Sequence, residues 1–220
     1  LYFIIFGSLI GRRIGEMGGF DYMAYIVPGL IMMSVIINSY TNVSSSFFGS
    51  KFGRFIEEML VSPISNQTIL LGYVTGGVAR AMSVGIIVTI LSLFFTDLVI
   101  HNMFAVVSIT VLTAVLFSLL GFINGVYAKR FDDVSIVPTF VLTPLTYLGG
   151  VFFSIDLLPD FWAGVAQLNP ILYVVNAFRF GILGVSDISL GWAYGILISM
   201  TIVAYVIAVR LLANGAGVRS

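Results

Sequence analysis

Few residues of this 220-residue chain could do chemistry, and their spacing excludes most reactions. There are ten Lys plus Arg, ten Asp plus Glu, one histidine and no cysteine. Without cysteine there can be no disulfide, no thiol nucleophile and no thiolate metal site. A nucleotide-binding P-loop needs a Gly-Lys pair to cradle phosphates, yet the two lysines, Lys51 and Lys129, follow Ser50 and Ala128. Zinc-hydrolase spacing needs at least two histidines, so the lone His101 cannot supply it. His101 lies in a short stretch, 97–102, between two apolar runs and reads as a surface residue. Asp156 and Asp160 bracket Leu157–Pro159 and read as setting a turn rather than binding an ion. No catalytic residue and no metal ligand set emerges.

Two other patterns stand out. Ser34, Asn38, Thr41, Asn42 and Ser45 recur at helical spacing inside an apolar run. Such a stripe either ties helices together by hydrogen bonds or lines a path or subunit seam. Asn124 is polar but solitary and reads as packing, whereas Arg80, inside another apolar run, must snorkel or face protein. The pairs Gly72/Gly76, Gly121/Gly125 and Gly191/Gly195 would let helices approach closely.

The second pattern is the densest charge in the chain, KFGRFIEEMLVSPISNQTILLGY over 51–73. Phe52, Phe55, Ile56, Met59 and Leu60 form one helical stripe, with Lys51, Arg54, Glu57 and Glu58 opposite. Pro63 directly after Ser62 ends that helix, and Ser65 or Asn66 can cap the next. The segment is either a solvated loop or an amphipathic docking element for a soluble partner.

The elements that must position these residues follow from composition. The chain is 59% hydrophobic and 9% charged, with mean hydropathy +1.10. A soluble domain carries about 25% charged residues, so the solvent is a membrane. The balanced charge gives no reason to expect a nucleic-acid partner. A helical span needs about 20 apolar residues. Charge-free runs predict an all-α bundle of six spans at 1–10 (the tail of a first span), 24–46, 69–96, 103–127, 134–154 and 188–209. Residues 12–21 read as a glycine-rich loop, and Pro28 lies near the start of span two. Residues 156–187 are too apolar for an ordinary loop but are broken at Asn169-Pro170, which predicts a re-entrant or interfacial helical hairpin. Trp162, Tyr173 and Trp192 suit the headgroup level. Arg179 reads as a helix cap or a lipid-phosphate contact. The excess of Lys and Arg places 51–68, the 129–133 loop and both termini in the cytoplasm, with Arg12 and Arg13 voting against.

Several stretches resemble ABC-2-type transporter permeases. They are 55–65 (FIEEMLVSPIS) with Leu71-Gly72, Thr143-Pro144 with 148–153 (LGGVFF), Leu158-Pro159 with Phe161-Trp162, and 168–173 (LNPILY) running to Phe178-Arg179. The resemblance implies a six-helix bundle of the type V exporter kind in a bacterial inner membrane. It also implies a homodimer and a separate ABC ATPase that holds ATP and Mg, this chain binding no cofactor itself. Lys51, Phe52, Arg54, Phe55, Ile56, Glu57, Glu58, Met59, Leu60, Ser62 and Pro63 would form the ATPase-coupling segment. Pro159, Trp162, Asn169, Pro170, Tyr173 and Arg179 would belong to short helices near the outer face. Ser34, Asn38, Thr41, Asn42 and Ser45 would line the substrate path for a drug, lipid or glycolipid. A nucleotide-independent channel or secondary transporter, which would place ionisable relays inside its spans, and a membrane scaffold are the rival readings.

Overall fold

The computed structural model describes residues 5–6 and 11–215, with the side chains of Arg12 and Leu60 excepted. Most of the first expected span, 1–10, therefore lies outside the described residues. Among the described residues the regular structure is helical apart from one hairpin. After α1 (Gly11–Ile14), β1 (Glu16–Met17) pairs antiparallel with β2 (Phe20–Asp21). Gly18 and Gly19 both take positive φ, 60° and 79°, as a two-residue turn between twisted strands requires. The stretch expected to be a loop thus folds into a tight lid over the start of α2.

α2 (Tyr22–Phe52) is the axis of the molecule. Asp21 caps it by accepting from the Met23 amide at 3.0 Å. Its 31 residues run roughly 46 Å, well beyond a ~30 Å hydrocarbon core, so the helix projects from the bilayer. Pro28 falls in its second turn rather than at its start, because the helix begins earlier than hydropathy suggested. There the proline removes an internal hydrogen bond.

Around α2 pack α4 (Asn66–Ser92), α5 (Met103–Tyr127) and α9 (Pro170–Leu183), with α10 (Leu190–Ala213) outside α5 and α9. Of their most apolar windows, 83% of the α2 window is buried but only 22% of those of α4 and α10. α2 is therefore the core, while α4 and α10 meet lipid or partners. Ser65 rather than Asn66 caps α4, accepting from the Thr68 amide at 3.2 Å. Among the described residues four helices, α2, α4, α5 and α10, are long and apolar enough to cross a membrane.

The stretch expected to be span five is interrupted. α6 (Phe131–Val137), a π-helical turn (Pro138–Leu142) and α7 (Thr143–Leu148) follow one another without a gap. Pro138 and Pro144 each lack an amide donor, and the wider turn between them accommodates that loss. Helix stops at Leu148 because Gly150 turns into positive φ (71°), and Val151 then settles against Gly29 of α2. Beyond a 3₁₀ turn (Ile155–Leu157) come α8 (Asp160–Gln167) and α9, broken at Asn169 as the sequence indicates. The 14 residues of α9 cover roughly 21 Å, too short to span.

The glycine pairs separate by function. Cβ atoms at Gly121 and Gly125 would strike the carbonyls of Tyr40 and Ser44, so this pair seats α5 directly on α2. At Gly72, Gly76, Gly191 and Gly195 nothing lies within 4 Å, so those pairs make no close approach among the described residues.

Candidate translocation face and docking segment

On α2 the large apolar side chains are buried, among them Val35, Ile36, Tyr40, Val43 and Phe47. Ser34, Asn38, Thr41 and Asn42 are only half-buried, and Ser45 is exposed. The ridge left open on the most covered helix is therefore mostly polar, with half-buried Ile37 beside it. Ser34 Oγ donates to the Leu30 carbonyl (3.0 Å), Asn38 Nδ2 to Ser34 (3.0 Å), Thr41 Oγ1 to Ile37 (2.7 Å) and Ser45 Oγ to Thr41 (2.6 Å). Each of these bonds stays within α2 and uses one donor, leaving the hydroxyl and amide oxygens as acceptors and a second N–H on Asn38. The interhelical tie is made by a buried neighbour of the ridge, where Asn124 Nδ2 of α5 donates to Ser44 Oγ at 3.0 Å. That is the packing role the sequence suggested for Asn124.

The charged segment differs from the single helix expected over 51–60. α2 continues to Phe52, Gly53 ends it, and Arg54 turns through the left-handed region (φ 61°) before α3 (Phe55–Val61) begins. This turn rotates the stripe out of register. Ile56 is buried and Met59 half-buried, whereas Phe52 and Phe55 are 67% and 60% exposed. Phe52 stays on α2 and joins Phe48 and Phe131 in an aromatic trio. Lys51 does not face solvent with the acids. Its Nζ donates to the Val126 and Ala128 carbonyls at 2.7 and 2.8 Å, capping the C-terminus of α5. α3 is left presenting Phe55, Glu57, Glu58 and Val61 outward, anchored by Ile56. Glu57 and Glu58 also suit the positive end of its dipole. Ser62 Oγ donates to the Met59 carbonyl at 2.6 Å, and Pro63 is exposed after the helix end.

At the other end Pro159 precedes α8 and Pro170 opens α9, where its missing amide costs nothing. Asn169 caps α9 through Oδ1 to the Ile171 amide (3.0 Å) and donates Nδ2 to the Leu145 carbonyl (2.6 Å). Tyr173 OH closes the α8–α9 corner on the Gln167 carbonyl (2.8 Å), and Trp162 is half-exposed. Arg179 is the largest correction. It neither meets lipid nor caps a helix but is fully buried. Its guanidinium lies 4.0 Å over the Tyr25 ring, and Nη2 donates to the Gly150 carbonyl at 2.6 Å. A cation can lie in this core because a π face and a carbonyl receive it. Sequence reasoning missed Asp187, whose Oδ2 accepts from Ser154 Oγ (3.0 Å) and the Ile155 amide (3.2 Å). An acid bracketed by serines before an apolar helix was the available signal. His101 is exposed and edges onto Phe180, and Arg80 is exposed on α4.

These features define a polytopic helical membrane protein organised around one half-open helix. The chain belongs to the ABC-2 type transporter family, whose profile matches residues 1–183. It is 59% identical over 220 residues to the inner membrane transport permease YadH of Escherichia coli K12, covering all of this chain and 86% of that protein. The Shigella flexneri YadH matches equally. Nodulation protein J of Rhizobium meliloti is 23% identical over 215 residues, 96% of this chain and 81% of that protein. The chain is thus the transmembrane permease of an ABC-2 type transporter and a homologue of inner-membrane permeases. Such permeases lack an ATPase domain and work with an ABC ATPase.

Proposed function

We propose that this chain is the permease half of an ATP-driven exporter that moves a hydrophobic or amphipathic drug, lipid or glycolipid out across the inner membrane. Two copies pair with the α2 ridge between them, each docked through α3 on its own ATPase subunit, which holds ATP and Mg. Each copy has six spans, the interrupted 134–154 run serving as the fifth, with both termini cytoplasmic. The observation that carries this reading is the polar, half-open ridge on α2. A polar strip on a mostly buried helix suits a path that opens and closes, while the apolar walls beside it suit the tail of an amphiphile.

ATP-driven closure of the ATPase pair pushes α3. The left-handed turn at Arg54 and the lysine clamp of Lys51 on α5 transmit that push to α2 and α5 together. The bundle then exchanges between inward- and outward-open states, biased by nucleotide. Phe55→Asp tests this. A charge placed at the exposed aromatic of α3 enters the apolar docking contact unpaired. The expected result is a folded permease that no longer retains the ATPase on purification from membranes, or retains it with hydrolysis uncoupled from transport. Wild-type retention and coupling in that variant contradict the docking role of α3.

A further inference from the structure

At the end of the molecule opposite α3, α7 and α8 enclose a cleft of about 250 Å³ that the transport reading does not use. Its walls are Leu145 and Leu148 of α7, Trp162 and Val165 of α8, and Leu168 with Asn169 at the α8–α9 corner. Asn169 is the one polar wall residue, and both ends of its amide are engaged, by the Leu145 carbonyl and the Ile171 amide. A polar ligand would lose its water there and gain no partner, so the walls select an alkyl chain. Trp162 is 51% and Leu168 85% exposed, so the cleft is open at the surface beside a tryptophan, a residue that favours the headgroup level.

Two acids flank one wall residue in sequence. Leu158, also in the wall, lies between the exposed carboxylates Asp156 and Asp160. From 131 to 209 the only basic residue is Arg179, which is buried. An anionic headgroup seated at this rim meets repulsion, whereas an ammonium meets two carboxylates. We infer that the α7–α8 cleft holds one acyl chain of a resident phospholipid with an ammonium headgroup, of the phosphatidylethanolamine kind, recognised at the rim by Asp156 and Asp160. Such a lipid fixes α8 to α7, which is continuous with the interrupted fifth segment. The inference needs only that the chain lies in a membrane, so its failure leaves the transport reading untouched.

Trp162 and Trp192 are the only tryptophans, so Trp192→Phe leaves one reporter in the cleft. Full-length permease carrying that change is reconstituted in phosphatidylglycerol vesicles. A minority of either phosphatidylethanolamine or phosphatidylglycerol brominated in its acyl chains is then added. A resident site predicts Trp162 quenching by the brominated ethanolamine lipid several-fold above its mole fraction, and above that by the glycerol lipid. Val165→Phe, which fills the cleft, returns quenching to the mole-fraction value. Asp156→Asn with Asp160→Asn abolishes the headgroup preference while chain-dependent quenching persists. Should Val165→Phe unfold the chain, the Asp156/Asp160 pair still tests the headgroup claim at the surface. Quenching that follows mole fraction equally for both headgroups, or that is unchanged by Val165→Phe, overturns the inference, leaving annular lipid or a second copy over the cleft.

Discussion

Arg179 shows how far one residue's neighbours can move its role. In sequence it follows an apolar stretch like a helix-end cation, and nothing local marks it as buried. Its partners, the Tyr25 ring and the Gly150 carbonyl, come from segments more than 25 residues away, so only the tertiary fold reveals them. Removing it strands a buried carbonyl and leaves the Gly150 turn unheld. A charged hydrogen bond of this kind contributes about 1.5–3 kcal/mol. Arg179→Met is therefore expected to lower the thermal midpoint of the purified permease markedly. Arg179→Lys should fall between the two, because an ammonium lacks the planar fork that serves Gly150 while lying flat on Tyr25. Equal midpoints for all three proteins would contradict the role assigned. Asp133, by contrast, acts through local bonds, although its place in sequence reads as a charged loop rather than as the first turn of α6. Its carboxyl accepts from the amides of Lys129 (2.8 Å) and Arg130 (3.0 Å), which hold it below the usual carboxylate range. A lowered folded value means that this stabilisation is complete above the ordinary carboxylate pKa and is lost as pH falls through the lowered one. Hydrogen exchange at those two amides should be slower in the wild type than in Asp133→Ala at neutral pH, and the difference should vanish in strong acid. No difference at neutral pH would remove the cap.

Among elements, the long apolar helices were readable because hydropathy and Ser or Asn caps are local. Ser65 before α4 and Asn102 before α5 mark their starts through bonds to amides three residues on. Three features were not readable. The left-handed turn at Arg54 divides what a helical wheel draws as one stripe, and a wheel assumes continuity. Pro138 and Pro144 signal disturbance without saying whether a kink, a π turn or a stop results. The break that keeps α9 short was visible at Asn169-Pro170, but its burial was not, because that depends on three other helices. Glycine pairing was visible as a pattern but not as a choice among pairs, because the pattern does not name the opposing helix. That choice can be checked. Gly121→Leu wedges α5 off the Tyr40 carbonyl of α2 and should cost about 1–3 kcal/mol of stability or more. Gly76→Leu meets open space and should leave the isolated permease as stable as wild type in detergent thermal unfolding. Equal losses at both positions would contradict the α2–α5 seat.

At the scale of the whole molecule the functional reading rests on an asymmetry. α2 is enclosed by α4, α5 and α9 except along a ridge of Ser34, Asn38, Thr41, Asn42 and Ser45. The stripe could be seen in sequence, but its meaning could not. Serine, asparagine and threonine at helical spacing serve equally as interhelical ties, and only burial separates Ser44, which binds Asn124, from its open neighbours. The same holds at the C-terminal end of α2, where Lys51 looked like one charge among several and instead clamps the end of α5 to α2. In the proposed mechanism α3 pushes the Lys51 end of α2, and the ridge lies midway along the same helix. The most direct test uses the absence of cysteine from the chain. Single cysteines at Asn38, on the ridge, and at Val35, on the buried face, are introduced into the permease assembled with its ATPase in membranes. Their labelling by a water-borne thiol reagent is followed with and without trapped ATP. The account predicts that Asn38→Cys reacts at a rate that changes several-fold with nucleotide, while Val35→Cys stays unreactive in both states. An Asn38→Cys that never labels, or labels at the same rate with and without nucleotide, would contradict the claim that the α2 ridge lines a gated path.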